Sequence, residues 1–300
     1  MSTTVPRTIH EYLDQLREAL AGADPALIQD ALYDAEEYLR GEMHAHPEKT
    51  EEQILAAIAT TYGAPEEVAE AYRNTEAKVQ LALRTPRPKP RKSALGKFFA
   101  VYADWRAYTA LLFMLLAFVT GLFYFVWAVV GFSLSLSLML MIFGLPFSLL
   151  FLSSVRLLSL VEGRIVEVML GIRMPRRPVH PGNGKSRPIM ERIKEVFTDP
   201  RTWSTLLYMV LKLPLGILDF ALFVSLGSIS LWFLVAPITD LFAPAMWIDI
   251  DGVDYYHIPW IITPIISVIG LVLLTLLMHI ARGMGWVHGH LAKSLLVKGT

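Results

Sequence analysis

The sequence predicts an all-α membrane protein: a small cytoplasmic helical domain, then a four-helix transmembrane domain built from two parallel two-span repeats, with a short extracytoplasmic β-hairpin cap. Three observations carry this prediction. Hydrophobic residues make up 54% of the 300, and the mean hydropathy is +0.46, beyond what an ordinary soluble domain needs for its core. The formal charge is zero in sum but segregated: residues 1–84 hold 16 Asp and Glu against 7 Lys and Arg, whereas 85–97 hold five Lys and Arg and no acid. Finally, Asp104-Trp105-Arg106-Ala107-Tyr108, leading into Leu111-Leu112-Phe113-Met114, returns 95 residues later (104 to 199) as Asp199-Pro200-Arg201-Thr202-Trp203, leading into Leu206-Leu207-Tyr208-Met209. The same shift carries Gly121 onto Gly216 and Phe125 onto Phe220, which a duplicated membrane unit explains.

The acidic residues 1–84 divide into helices by periodicity and caps. Ile9, Tyr12, Leu13, Leu16 and Leu20 form one apolar stripe, and Ile28, Ala31, Leu32, Ala35 and Leu39 form a second. Asp24-Pro25 starts the second helix, because the carboxylate accepts from free amides and proline at the first turn sacrifices no hydrogen bond. Thr50 and Gln53 have capping-box spacing for a third helix that stops at Gly63, and Pro65-Glu66-Glu67 opens a fourth. The polar start has no apolar run of a secretory signal, so a cytoplasmic N-terminus is expected.

These residues resemble the bacterial HAAS-type alpha-helical signalling domain over residues 8–82. The resemblance rests on Tyr12-Leu13-Asp14-Gln15-Leu16, the acidic run Asp34-Ala35-Glu36-Glu37-Tyr38, and Tyr62-Gly63-Ala64-Pro65-Glu66-Glu67-Val68-Ala69. It implies an interaction module that binds a cytoplasmic or membrane protein partner through residues 1–84.

Residues 85–97 read as a linker. Pro86, Pro88 and Pro90 alternate with basic residues and favour an extended spacer, and the cations then meet the surface of anionic membrane lipids. Leu95, Phe98, Phe99 and Tyr102 form a stripe suited to a helix lying on the membrane. Four apolar runs follow at about 108–130, 135–158, 203–231 and 259–282, the first two joined through Gly131-Phe132-Ser133. After Leu231 the correspondence shifts to 126 residues, because Val161-Glu162-Gly163-Arg164 returns as Val287-His288-Gly289-His290; residues 232–258 are thus an insertion. Two spans per copy make the copies parallel rather than inverted. Lys and Arg crowd the stretch from Arg164 to Arg201 and are absent from 213 to 281. By the positive-inside rule both termini and the central loop face the cytoplasm, here the bacterial inner membrane's inner side, and the insertion faces outward.

The membrane part resembles the transmembrane sensor domain of bacterial sensor histidine kinases and of stand-alone membrane proteins. The resemblance covers residues 100–297 and rests on Arg106-Ala107-Tyr108 with Leu111-Leu112, Gly144-Leu145-Pro146, Val161-Glu162-Gly163-Arg164 ending at Leu170-Gly171, and Leu213-Pro214-Leu215-Gly216. It implies a signal-responsive bundle. Two departures stand out: the soluble module precedes the membrane part, and the 300 residues supply neither a phosphoacceptor helix nor an ATP-binding domain, so phosphotransfer is not expected.

The candidate site residues fall into three sets. Asp219, near the middle of the third span, is either a packing polarity or a ligand- or proton-responsive carboxylate; three settings are open to it: protonated, bonded to a serine such as Ser133 or Ser225, or facing a small cavity between the repeats. Trp247, Asp249, Asp251, Asp254, Tyr255 and Tyr256 surround an Asp251-Gly252 hairpin signal. They act as interfacial anchors or as contacts of a ligand-covering lid; a calcium loop is not expected, because the count of oxygens and the distal acid are missing. Asp104, Arg106, Asp199 and Arg201 form the pairs that open the repeats. His279, near the inner end of span four, reads as a snorkelling or packed histidine rather than a haem ligand, and His288 and His290, two apart on an amphipathic helix, point different ways and make a poor metal pair. Pro146 and Pro214 are expected to bend spans two and three. The segments after spans two and four, with Val161, Ile165, Val168, Met169 and Ile172 on one face and Val287, Leu291 and Leu295 repeating it, are expected to lie along the inner surface.

Function is bounded by what the chain omits. With no cysteine, thiolate catalysis, disulfides, iron–sulfur clusters and Cys-ligated zinc are excluded. No phosphate-binding glycine loop or cluster of acids and bases is present, so no catalytic residue, metal or cofactor is assigned and no nucleic-acid partner is expected. The expectation is a non-catalytic membrane sensor or regulator that passes a membrane or extracytoplasmic signal to a cytoplasmic partner, with a homo-oligomer open. The alternatives are an accessory subunit of a larger membrane complex and a small-solute transporter or membrane enzyme.

Overall fold

The computed structural model describes residues 5–83, 93–141, 144–178, 197–239, 242, 247–250, 254–257 and 261–297, with 247–250 and 254–257 described by backbone alone. The proline run of the linker, the loop segment at 179–196 and the Asp251-Gly252 turn lie outside the described residues.

The N-terminal segment folds as four helices, α1 (Ile9–Ala19), α2 (Pro25–Ala45), α3 (Glu51–Thr61) and α4 (Pro65–Leu83). Each start follows its sequence signal. The Thr8 hydroxyl accepts from the Glu11 amide at 3.2 Å and the Asp24 carboxylate from the Ala26 amide at 2.9 Å, while Thr50 and Gln53 close a full capping box. Both apolar stripes are inside: Leu16, Leu20 and Leu39 have no exposed surface and share one core with Ile54, Leu55, Ile58 and Val68. Burying such side chains contributes about 2 kcal/mol each. Where α3 turns into α4, Gly63 takes φ +108°, a conformation that disfavours a side chain, and its carbonyl accepts the Tyr12 hydroxyl at 2.9 Å. Burial pushes the Tyr12 and Tyr72 phenols well above their usual range, so both stay neutral donors; Tyr72 donates to Asp34 at 3.0 Å.

Beyond the linker come a short helix α5 (Ala94–Phe98), a 3-10 turn (Phe99–Ala103), and four helices long and apolar enough to cross a membrane: α6 (Trp105–Leu138), α7 (Gly144–Leu170), α8 (Pro200–Thr239) and α9 (Thr263–Leu296). The 34 residues of α6 reach about 51 Å at 1.5 Å per residue, more than a hydrocarbon layer requires. Their surfaces invert the soluble pattern: Leu112, Val119, Leu150, Leu207, Trp232 and Val268 are exposed, as lipid-facing side chains are. Between α8 and α9 two short strands, β1 (Trp247–Ile250) and β2 (Asp254–His257), pair antiparallel with Ile248 opposite Tyr256 and Asp249 opposite Tyr255.

The chain divides into two compact units, one comprising Met1–Arg84, Ala128–Tyr208 and Gly289–Thr300, the other Thr85–Trp127 and Met209–His288. The two helix starts at the shifted positions carry the same bonds, one in each unit. In the second unit the Asp104 carboxylate accepts the Arg106 amide at 3.0 Å and pairs with Arg282 at 3.2 Å, and the Tyr108 hydroxyl donates to the Tyr102 carbonyl at 3.0 Å. In the first unit Asp199 accepts the Arg201 amide at 3.0 Å and pairs with Arg156 at 3.0 Å, and Trp203 Nε1 donates to the Phe197 carbonyl at 2.9 Å. Arg156 and Arg282 are 126 residues apart, Tyr102 and Phe197 95. Gly121 and Gly216 also pack reciprocally in the second unit: a Cβ on Gly121 would sit 2.7 Å from the Lys212 carbonyl oxygen, and one on Gly216 would sit 2.5 Å from that of Ala117.

Three expectations are corrected. Gly131-Phe132-Ser133 is no turn, for α6 continues to Leu138; Gly131 is small because a side chain there would strike the Phe151 ring. Pro146 stands in the first turn of α7, where a missing amide breaks no helical bond, whereas Pro214 is truly interior to α8. The amphipathic segments are continuous with α7 and α9 rather than separate surface helices. Val161 and Val168 are exposed while Glu162, Glu167 and His288 are buried, because each of these three polar groups has a partner inside the protein.

Candidate functional site

Lys212, Asp219 and His288 of the second unit are ionisable side chains buried inside membrane-spanning helices. Lys212 and Asp219 are two turns apart on α8, a spacing of seven residues that returns to the same helix face, and His288 comes from α9. All three are at most 1% exposed. An Asp219 carboxylate oxygen lies 2.7 Å from His288 Nε2, yet the approach falls off the ring N–H direction, so neither group forms a well-aligned hydrogen bond. The contact is that of a close acid–base pair. Phe113 joins the cluster from α6: the Lys212 ammonium stands 4.9 Å from its ring centre, and His288 meets the same ring edge-on at 5.5 Å. Tyr124 gives Lys212 a second aromatic face at 5.8 Å. Aromatic faces stabilise a desolvated cation by about 2 kcal/mol, and a carboxylate in hydrocarbon costs about 3 kcal/mol on insertion scales. The arrangement places a close acid–base pair beside a cation that two aromatic rings face, all within the helices of the second unit.

The first unit holds a second buried ionic group where the soluble helices meet the end of α7. Gly171, at φ +69°, ends α7 and turns the chain so that Arg173 enters the interior with 8% of its side chain exposed. Its guanidinium contacts three acids: Asp30 of α2 at 2.8 Å, Glu76 of α4 at 3.1 Å and Glu167 of α7 at 3.5 Å. The Asp30 carboxylate also accepts the backbone amides of Arg176 and Arg177, both at 2.8 Å. Arg177 pairs with Asp34 at 2.7 Å, and Arg176 pairs with Glu167 at 3.0 Å. Burial pushes the Asp30 carboxyl up despite the opposing bonds from Arg177, Arg173 and Arg176. Burial works against the charge on Arg173, but Asp30 and Glu76 together outweigh it and the guanidinium is held above its usual range.

Of the predicted residues, Asp219 belongs to the buried cluster, with His288 rather than a serine as its partner. Asp104 and Asp199 are helix caps; Arg106 and Arg201 supply the capped amides. Trp247, Asp249, Asp254, Tyr255 and Tyr256 lie on the paired strands, and their side chains, with all of Asp251, lie outside the described residues. Sequence reasoning missed Lys212, His288 and Arg173. The seven-residue spacing of Lys212 and Asp219 inside one apolar run was the available signal for the first; nothing local marked His288 or Arg173, whose partners are 69 and 143 residues away (219 to 288, 30 to 173).

Four helices apolar and long enough to span, with ionisable groups buried between them, define an integral membrane protein. The chain belongs to the Sensor family, whose profile matches residues 113–296. Comparison with curated proteins and with solved structures returned no match.

Proposed function

We propose that this protein is a non-catalytic sensor of the bacterial inner membrane in which the helices respond to a membrane or extracytoplasmic signal and the HAAS-like domain of residues 1–84 carries the response to a cytoplasmic protein. Family membership supports the sensor role and speaks against an enzyme. The observation that carries the coupling is the Arg173 network, which joins α2 and α4 directly to α7 through one buried cation. A change in α7 is therefore transmitted to the soluble helices by side chains that have little slack. The matched caps at Asp104 and Asp199 support a duplicated two-helix unit, and the crowding of Lys and Arg between α7 and α8 supports cytoplasmic termini with the β1–β2 ladder as an outer cap.

Hydrogen exchange on the full chain in lipid vesicles tests the coupling. Arg173→Ala is expected to raise exchange throughout α2 and α4 while α6 and α9 stay protected. Unchanged exchange in α2 would show that the soluble helices do not depend on α7, and the transmission reading would fall.

A further inference from the structure

We propose that a cavity beside α7 and the start of α8 binds the phosphate headgroup of an anionic phospholipid, held by Arg156 and Arg201. The cavity, of about 270 Å³, lies within the first unit and is lined by Ser153, Arg156, Leu157, Leu160, Asp199 and Arg201 among others. Its charge is unbalanced. Two guanidiniums face one carboxylate, and that carboxylate is already occupied on both oxygens, by the Arg201 amide and by Arg156 Nη2. Arg156 bonds through Nη2 alone among the described residues, to Asp199 and to the Thr202 hydroxyl, and its side chain is 44% exposed. Its other donors form the planar fork that suits a phosphate. Leu157, Leu160 and Pro178 give the lining an apolar part beside Ser153 and Ser159, and Leu157 next to Arg156 is 63% exposed on a membrane-spanning helix. Free phosphate answers the arginines but leaves Leu157 and Leu160 in water or bare lipid; a phospholipid supplies the anion and the acyl chain together.

The site also touches the soluble helices. Arg201 Nη1 donates to Gln29 Oε1 on α2 at 3.0 Å, and Gln29, only 7% exposed, donates in turn to the Arg177 carbonyl. A headgroup that recruits Arg201 competes with Gln29, so occupancy is felt in α2. This part rests on the sensor reading; headgroup binding itself requires only that the helices lie in a membrane.

The test uses the full-length protein in neutral detergent, titrated with short-chain phosphatidylglycerol, short-chain phosphatidylcholine or inorganic phosphate, with thermal stability and native mass spectrometry as readouts. Phosphatidylglycerol is expected to bind and raise the melting temperature while the other two do not, and Arg156→Gln is expected to bind it about tenfold more weakly, the loss of one charge-assisted contact. Leu157→Trp, at an exposed position that folding does not depend on, is expected to block the cavity and weaken binding with the unliganded melting temperature kept. Equal effects of phosphatidylcholine, equal effects of phosphate alone, or full binding by both variants would each overturn the proposal. If phosphatidylglycerol binds as expected but α2 hydrogen exchange stays the same, the headgroup site stands and the sensor coupling fails.

Discussion

Residues at matching shifts do the same structural work in the two units but different chemistry. Asp199 with Arg156 in one and Asp104 with Arg282 in the other are alike: an aspartate caps a long helix and an arginine from a later or earlier helix neutralises it. Further along each helix the sets part. In the first unit Tyr208 donates to Glu162 at 2.8 Å, a hydrogen bond that accommodates a buried acid. At the corresponding places in the second unit stand Phe113 and His288, and with no hydroxyl on Phe113 the imidazole turns its polar edge to Asp219 instead. Asp219 itself stands where the other copy of the pattern has Tyr124, and Lys212 where it has Ala117. Capping and ion pairing are conditions of helix start and so persist in both; the interior polar positions are free to differ, and one set has accumulated three titratable groups.

The largest separation between the units should come from their central charges. Arg173→Ala removes the one cation that, among the described residues, contacts Asp30, Glu76 and Glu167 together, and is expected to cost about 3–5 kcal/mol, the penalty for stranding buried charge, visible as a lower melting temperature and as proteolysis between α4 and α6 in vesicles. Next, Asp219→Asn is expected to cost about 2 kcal/mol, and a double-mutant cycle with His288→Gln should recover most of it as coupling. If the cycle shows the two substitutions to be additive, Asp219 and His288 do not act as a pair and the contrast with Glu162 collapses.

The glycines test where residues at matching shifts should behave alike within one unit, since Gly121 and Gly216 both belong to the second. Gly121→Ala and Gly216→Ala each push a methyl against a backbone carbonyl that cannot rotate away, and overpacking of this kind costs about 1–3 kcal/mol. Because each glycine meets the helix that carries the other, the two substitutions should lower the melting temperature by similar amounts. A large asymmetry would mean that the reciprocal crossing is not the contact that sets helix separation.

Helix starts, the core of residues 1–84 and the four spans were legible because each is written in neighbouring residues: Asp24-Pro25, Thr50 with Gln53, apolar spacing, and runs of about 20 apolar residues. Asp219 was legible because a carboxylate in such a run is conspicuous. What escaped depended on pairing between distant segments. Glu162 and Glu167 read as solvent-facing because charge on an amphipathic segment usually is, yet Tyr208 and a set of arginines draw them inside. Gly131 reads as part of a tight connection between two apolar runs, and only the position of the Phe151 ring shows why a side chain is excluded. His288 reads as part of an amphipathic segment beyond the fourth span and as a poor metal partner for His290, whereas α9 runs unbroken from Thr263 to Leu296 and buries it beside Asp219.

The smallest effect probes the comparison most directly, because it converts one set toward the other. Tyr208→Phe gives the first unit the ring found at Phe113 and removes the hydroxyl that serves Glu162. The substitution preserves volume, so the expected loss is that of one hydrogen bond, about 1 kcal/mol, read as a shift in melting temperature of the full chain. Adding Glu162→Gln should recover part of it, because an amide is cheaper than a carboxylate to leave in an apolar interior. Should Tyr208→Phe prove neutral while Glu162→Gln alone stabilises, the Glu162 carboxylate is held by something other than Tyr208, and the two units then differ in more than the hydroxyl at this one position.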